Sequence, residues 1–456
     1  MEVESAINKY EARPAVAFDL EAYVSAYTGH SRADRLLYIV EHSKGKELEL
    51  EALKIAHNDV KKTENTPRYD HIVKMIDGRL GDDYKLDSAW VEAVDRKCLA
   101  RQEKLEQELT GSKTNLIKES IRMGHNDLGD LLYERGDLQG AFKCFVRSRD
   151  YCTTSRHVVS MCLSSIRVAV EMANWMHVQN YVAKAEQSPD VGTDPVVMGK
   201  IRAAAGLSFL QTKKYKQAAK KFVEVNPELG TSYNDVLAPQ DVAVYGGLCA
   251  LATFNRTELQ SQVITNIGFK EFIELVPELR DTIRDFYHSR YAACLRALEV
   301  LRPSLTLDLH LGAHVTSLYD QIRERAVMQY VSPFMSVDLN AMAVAFNTSV
   351  GALEKEVAGL IMDSKVQARI DSHRKILFAR HADVRGQTYA HVLNEGEAYL
   401  RESKAMLLRA NLLQHDLIQR PPRTGGGGRK GEVALNLGGV MEKPGSMMRM
   451  PGWIDS

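Results

Sequence analysis

Histidine and cysteine are the residue types in this sequence best suited to hold a metal ion or to act as a nucleophile. His310 and His314 lie four residues apart, which places both imidazoles on one face of a helix, where they could share a metal ion. No acidic third ligand follows at a recognisable spacing. The six cysteines are far apart and form no CxxC pair: Cys98, Cys144, Cys152, Cys162, Cys249 and Cys294. This spacing is typical of reduced thiols in an intracellular compartment and disfavours a structural zinc site.

Motifs of the common enzyme classes are missing from the sequence. It contains no GxxxxGK[ST] phosphate loop, no GxGxxG after a strand, no GxSxG elbow and no HExxH helix. We therefore predict a protein that is not an enzyme, with no catalytic, cofactor-binding or metal-binding residues. Such a chain is expected to work by holding other proteins.

The charge and hydropathy patterns disfavour binding to nucleic acid or to a membrane. Lys and Arg together number 59, as do Asp and Glu, so the formal net charge is zero and no global field attracts a polyanion. No stretch approaches the roughly 20 apolar residues that span a bilayer, and the N-terminus lacks the pattern of a signal peptide. We expect a soluble protein of the nucleus and cytoplasm.

A repeated pair of helices begins near residue 123. Its first unit has the small and large residues by which two antiparallel helices pack across a short turn: Leu128, Gly129, Leu132, Tyr133, Gly136, Ala141 and Phe145. Similar patterns recur 37 residues later, at Ile166, Ala169, Val170, Ala173, Val178 and Val182, and 77 residues later, at Ala205, Gly206, Phe209, Leu210, Ala218 and Phe222. This spacing predicts a tetratricopeptide-like superhelix of at least three stacked pairs. A degenerate fourth unit could begin at Tyr245.

The order of patterns predicts a mainly α-helical chain with six segments. Residues 1–18 are predicted to be a flexible N-terminus, 19–110 an N-terminal helical segment and 111–310 the helical repeats. Residues 311–383 are predicted to form a winged helix and residues 384–418 a long helix. The Gly- and Pro-rich residues 419–456 have no sustained periodicity, so we predict a disordered tail.

The winged-helix prediction comes from three helical patterns followed by a strand pattern. Val315 to Tyr330 is amphipathic, Ser336 can cap the second helix, and Thr348 or Ser349 can cap the third. The hairpin is indicated by alternating apolar residues on both sides of a turn: Val366, Ala368 and Ile370, then Ile376 and Phe378. The third helix contains Glu354, Lys355, Glu356 and Asp363, a poor set for reading DNA.

An apolar stripe with a period of seven residues follows the hairpin. Its members are Val392, Tyr399, Met406 and Leu413, with Leu393, Leu400 and Leu407 beside them, and Leu417 near the end. A helix cannot bury such a stripe against itself. The stripe could pack on the winged helix of its own chain, or on helices of neighbouring subunits. A period of seven favours helical partners.

Helical repeats that end in a winged helix and a long helix resemble the PCI-domain subunits of the proteasome lid, the signalosome and a translation initiation factor. Longer strings narrow this resemblance to the family of signalosome subunit 1: NLIKESIRMGHNDLGD (115–130), RDYCTT (149–154), VNPELGTSYNDVLAPQDVAVYGGLCALA (225–252), DFYHSRYAACL (285–295), SLYDQIRERAVMQYVSPFMSVDL (317–339) and QARIDSHRKILFARHAD (367–383). The resemblance covers about residues 19–418.

The resemblance implies a function through a complex. The signalosome removes the ubiquitin-like modifier Nedd8 from cullins of cullin-RING ubiquitin ligases, with the metalloprotease in another subunit, and in plants it regulates light-dependent development. PCI subunits associate through their winged helices and gather their last helices in a bundle. The expected partners are therefore other signalosome subunits and, through the complex, cullin-RING ligases. A proteasome lid subunit and a winged-helix nucleic-acid binder remain the alternatives.

The candidate subunit-interface residues come from the hairpin and the stripe. They are Val366, Ala368, Ile370, Ile376, Phe378, Val392, Leu393, Tyr399, Leu400, Met406, Leu407, Leu413 and Leu417. No cofactor is expected.

Overall fold

A computed structural model describes residues 19–43, 45, 47–188, 192, 194–379 and 384–415. The predicted flexible N-terminus (1–18) and disordered tail (419–456) lie outside the described residues, as does Leu417. The chain divides into two units, Met1–Arg380 and His381–Ser456.

The described part of the N-terminal arm contains five α-helices that bury a core of their own. These are α1 (Leu20–Ser25), α2 (Gly29–His42), α3 (Glu47–Val60), α4 (Thr66–Ile76) and α5 (Ser88–Thr114). Side chains of Asp19, Asn65 and Asp87 accept hydrogen bonds from backbone N–H groups at the starts of α1, α4 and α5. Leu36 and Leu53 are fully buried where α2 packs on α3. The predicted boundary at residue 110 lies inside α5.

Three helical pairs follow the N-terminal arm, as the repeat predicted. They are α6 (Lys118–Arg135) with α7 (Leu138–Ser148), α8 (Ser155–Glu171) with α9 (Trp175–Glu186), and α10 (Pro195–Gln211) with α11 (Tyr215–Val223). A Cβ added at Gly129 would lie 2.8 Å from the ring of Phe145, and one at Gly206 would lie 2.8 Å from the ring of Phe222. The two contacts are related by the shift of 77 residues, so the repeat is confirmed at the level of packing.

Four further helices extend the stack. They are α12 (Pro239–Thr253), α13 (Ile267–Glu274), α14 (Pro277–Tyr287) and α15 (Tyr291–Thr306), with a short helix Arg256–Glu258 and a π-helix Leu259–Ile264 between the first two. Gly246 repeats the small-to-large contact, with its Cβ position 2.8 Å from Phe269. The fourth unit begins at Pro239 and not at Tyr245, because the side chain of Asp241 accepts the N–H of Ala238 and closes a cap there.

The winged helix is present and contains one strand more than the sequence predicted. Its elements are α16 (Val315–Val331), β1 (Ser336–Asp338), α17 (Leu339–Ala345), α18 (Val350–Met362), β2 (Ala368–Asp371) and β3 (Ile376–Ala379). The antiparallel sheet has the order β1-β3-β2. The predicted cap at Ser336 is wrong, because Ser336 pairs with Phe378 in the sheet and Asp338 caps α17 instead. The cap at Ser349 is confirmed.

From the second helical pair onward, the repeats and the winged helix share one continuous hydrophobic core. This core extends from Val159 to Leu377. Arg325 on α16 joins the two parts, since it donates hydrogen bonds to the carbonyl oxygens of Thr253 (2.8 Å) and Phe254 (3.1 Å), at the end of α12. The winged helix is therefore held firmly on the last helices of the stack.

The second unit contains the helix α19 (Val384–Gln414). The long helix predicted from the period of seven is thus confirmed. Among the described residues, no helix is long and apolar enough to cross a membrane.

Candidate protein-interaction surfaces

The C-terminal helix α19 exposes its large apolar side chains. The seven described stripe residues have exposed fractions from 46% to 71%: Val392, Leu393, Tyr399, Leu400, Met406, Leu407 and Leu413. Leu408, which is 61% exposed, extends this surface and was missed because it lies outside the period of seven. Fully burying such a side chain stabilises a protein by about 1.5–3 kcal/mol. The stripe thus offers a large favourable free energy to any partner that covers it.

The hairpin divides its five candidate interface residues between its own core and the solvent. Val366 and Ala368 are 8% and 6% exposed and pack in the core of the winged helix, so their side chains are not available to a partner. Ile370 and Ile376 are half-buried, and Phe378 is 42% exposed. Of these five residues, Phe378 is the most available side chain.

Strand order decides where another chain could extend the sheet. β3, which contains Ile376 and Phe378, lies between its two neighbours and has no free edge. The outer edge of β2 faces no other strand in the described part of the chain, so backbone pairing with a partner could occur there.

Further apolar side chains on the winged helix are exposed and were not predicted. Phe334 and Met335 are exposed beside β1, and the carbonyl oxygen of Met335 accepts the N–H of Ala379 (2.8 Å). Val344 and Met362 are exposed at the ends of α17 and α18. Met335 and Val337 are apolar and flank the polar Ser336. This weak strand pattern could have identified Met335.

Charges on α18 are paired with the winged helix itself. Glu354 accepts hydrogen bonds from Lys375 Nζ (2.7 Å) and from Ser372, which ties the helix to the hairpin. Glu356 accepts Arg323 Nε at 2.8 Å. The helix that would read bases in a DNA-binding winged helix therefore presents carboxylates engaged in structural contacts.

A buried charged network fastens the N-terminal arm to the later helices. Arg35 on α2 is fully buried and donates to Asp241 Oδ2 (2.7 Å) and to Asp308 Oδ2 (2.6 Å). Tyr27 and Tyr245 donate to the same two carboxylates, at 2.7 Å and 2.5 Å. We name these residues, together with Tyr23, the Arg35 network. Sequence reasoning missed it because Arg35 lies more than 200 residues before both carboxylates.

The pKa values of the two carboxylates in the Arg35 network are shifted in opposite directions. Burial disfavours ionisation of both, and it raises the pKa of Asp241. At Asp308 the effect of burial is outweighed by the Arg35 guanidinium and by the hydrogen bond from Tyr245, so its pKa is lowered. Asp308 is thus the better-stabilised anion of the pair, and Arg35 is the cation on which both depend.

His310 and His314 lie among structural contacts, and five of the six cysteines are buried. His314 lies 3.2 Å from the hydroxyl of Tyr215 and 3.3 Å from Gln211 Oε1, and burial lowers the pKa of His310 to about 3. No group of three or more potential ligands is placed to hold a metal ion in the part of the chain that the structure describes. Burial raises the pKa of all six thiols, which disfavours the nucleophilic thiolate.

Two family models match the chain, and together with the fold they define its class. The model described as 26S proteasome subunit RPN7 matches residues 87–262, which contain α5 and the repeats. The model described as PCI domain matches residues 294–381, which contain the winged helix. The protein is a helical-repeat chain that contains a PCI domain.

Similarity to characterised proteins identifies the family within this class. The chain is 53% identical over 415 residues to the COP9 signalosome complex subunit 1 of Arabidopsis thaliana, a match that covers 90% of this chain and 94% of that protein. It is 40% identical to subunit 1b of Drosophila melanogaster, over 92% and 90% of the two chains. The chain belongs to the family of COP9 signalosome complex subunit 1.

A more distant similarity connects the chain to the proteasome. It is 23% identical over 313 residues to the 26S proteasome non-ATPase regulatory subunit 6 of Caenorhabditis elegans, a match that covers 66% of this chain and 75% of that protein. The resemblance to signalosome subunit 1 that the sequence strings indicated is confirmed.

Proposed function

We propose that this chain is a non-catalytic scaffold subunit of the COP9 signalosome. The observation that carries the proposal is the stripe on α19, where seven large apolar side chains are exposed on one helix. An unpartnered surface of this kind is unfavourable in water and gains free energy when other helices cover it. Family membership supports the same conclusion.

The activity of the complex belongs to other chains in this proposal. The complex would remove Nedd8 from cullins of cullin-RING ubiquitin ligases and so regulate ubiquitin-dependent degradation. This chain would contribute contacts alone, through the stripe, Phe378 and the outer edge of β2. The engaged histidines and the raised pKa values of the thiols support a subunit without a reacting group.

Co-purification with matched variants tests this proposal. The tagged full-length chain, a truncation that ends at Asp383, and the pair Tyr399→Glu with Met406→Glu are expressed in cells that lack the native subunit. The control pair Asn394→Glu with Ala405→Glu adds the same charge to exposed positions on the opposite face of α19. Co-purifying proteins are identified, and removal of Nedd8 from a cullin is assayed in each eluate.

The full-length chain and the control pair are expected to recover a multi-subunit complex that removes Nedd8. The truncation is expected to lose the complex because it removes α19. The stripe pair is expected to lose it because burying two carboxylates among apolar helices is strongly unfavourable. Recovery of the complex by the truncation would refute the role of α19. Equal losses from both pairs would show that charge, and not the stripe, matters.

A proteasome lid subunit is the second candidate, favoured by the family model named after a proteasome subunit. The same experiment separates the two, because a lid subunit would recover proteasome proteins and an eluate that cleaves ubiquitin. The identities of 53% and 23% favour the signalosome.

A further inference from the structure

A cavity of about 220 Å³ lies beside the Arg35 network, between α1 of the N-terminal arm and the later helices. Tyr23 and Tyr27 of α1 form one wall. The other walls are mainly apolar and come from α12, α14, α15 and the residue before α14: Val244, Leu248, Val276, Leu279, Leu301 and Leu305. Neither the stripe nor the surfaces of the winged helix use this cavity.

The two buried carboxylates at this cavity are already engaged. Arg35 donates to both Asp241 and Asp308. Tyr27 donates to Asp241 at 2.7 Å, and Tyr23 donates to Asp308 at 3.0 Å. The cavity therefore offers mainly apolar side chains and aromatic rings, which favours an apolar occupant. An apolar cavity of about 150 Å³ can bind benzene, so there is room here for one phenyl ring.

The start of α1 indicates which side chain can reach the cavity. Asp19 is the N-cap of α1, because its side chain accepts the N–H of Ala22 at 3.1 Å. Tyr23 is therefore the fourth residue of the helix. An apolar residue directly before an N-cap often packs on the fourth helical residue, an arrangement called the hydrophobic staple. The sequence has Phe18 at the position before the N-cap.

We propose that residues 16–18 of this chain dock in the cavity, with the ring of Phe18 against Tyr23 and among the apolar walls. Val16 precedes Phe18 by two residues, so an extended segment would present both side chains on one face. The docked segment would contact α1 and the later helices at once, and would thereby hold the arm in place beside the Arg35 network. This inference goes beyond the proposed function, because it concerns the chain alone and requires no signalosome.

Photo-crosslinking in the purified full-length chain tests where residue 18 lies. Benzoylphenylalanine, a photoreactive analogue of phenylalanine, replaces Phe18 in one chain and Tyr10 in a control chain, and mass spectrometry maps the adducts. Adducts from position 18 are expected on the cavity walls, at Tyr23, Leu301 or Leu305, and position 10 is expected to give a much lower yield there. Adducts outside the cavity, or equal yields from the two positions, would overturn the proposal. Adducts between two chains would overturn it in favour of a second copy as the occupant.

Hydrogen exchange tests whether docking holds the arm in place. Phe18→Ala is expected to speed the exchange of the α1 amides by roughly threefold or more, because a docked ring would limit opening of that helix. The matched variant Ala17→Phe with Phe18→Ala keeps the composition of the segment but moves the ring away from the position before the N-cap, so it should lose the same protection. Unchanged exchange in α18 shows that each variant is folded. Full protection of α1 in Phe18→Ala, or restored protection in the shifted variant, would contradict the proposal.

Discussion

The N-terminal arm and the C-terminal helix α19 are both helical, but they differ in how far their large side chains are buried by the chain itself. In the N-terminal arm, Leu36 and Leu53 are fully buried, and Arg35 has carboxylate partners from residues more than 200 positions away. In α19, the large apolar residues of the stripe are exposed. The difference teaches that the N-terminal arm is completed by contacts within the chain, whereas the proposed function requires partners to cover the stripe.

Removal of Arg35 is the largest expected effect and tests whether the N-terminal arm is closed from within. Arg35→Ala should lower the free energy of unfolding by about 3–5 kcal/mol, because it leaves two buried carboxylates without their cation. Arg32→Ala, one turn away, removes a half-exposed pair with Asp59 and should cost less than about 1 kcal/mol. Urea unfolding of both variants measures the difference. Equal costs would mean that the Arg35 network does not fasten the arm.

Glu171, at the end of α8, should make the free energy of unfolding depend on pH. Burial raises its pKa from an ordinary 4.5 to about 7, so its protonated form stabilises the fold below pH 4.5. This contribution is lost as pH rises through 7, and its full size is about 3 kcal/mol. Glu171→Gln cannot ionise, so its stability relative to the natural chain should rise by that amount between pH 4.5 and pH 7.5. Denaturant unfolding at several pH values measures it, and a constant difference would contradict the prediction.

Two glycine substitutions should separate the packed repeats from the exposed helix. Gly206→Ala places a methyl group 2.8 Å from the Phe222 ring and should cost about 1–3 kcal/mol through overpacking. Gly396→Ala in α19 meets nothing within 4 Å and should leave stability unchanged or raise it by up to about 1 kcal/mol, since Ala favours helices. Thermal unfolding of the two variants gives the comparison. A cost at Gly396 would mean that α19 is packed in the isolated chain.

The smallest expected effect concerns the stripe in the isolated chain. Tyr399→Glu with Met406→Glu should change the free energy of unfolding by less than about 0.5 kcal/mol, because both side chains are exposed. Their effect should appear only when partners are present. Urea unfolding of the purified variant and the natural chain checks this, and a cost above about 2 kcal/mol would show that the stripe packs against its own chain.

Features that repeat locally could be predicted from the sequence. The contact of Gly129 with Phe145 and that of Gly206 with Phe222 are encoded by spacing within about 16 residues, so sliding the chain along itself found both. The hairpin followed from alternation on the two sides of a turn. β1 was missed because three residues are too few to show a period of two. Such a strand is defined by its partner β3 and not by its own residues.

Features built from distant residues could not be predicted. Arg35 looks like any charged residue of an amphipathic helix, and its two carboxylate partners lie more than 200 residues further along the chain. Alternation identified Val366 and Ala368 as one face of a strand, but it could not decide whether that face meets its own core or another subunit. The sequence likewise left open whether the stripe packs on the winged helix of its own chain or on helices of neighbouring subunits.

The Arg35 network also constrains the order in which the chain can fold during its synthesis on the ribosome. Asp308 follows Arg35 by 273 residues. At a synthesis rate of about 5–20 residues per second, it leaves the ribosome roughly 14–55 s after Arg35. During that interval the arm helices can form their own core, but Arg35 lacks Asp308 throughout and lacks Asp241 until 206 further residues have been made. The helices of the N-terminal arm are synthesised first, but their buried ion pairs with the later helices can form only after most of the chain has been made.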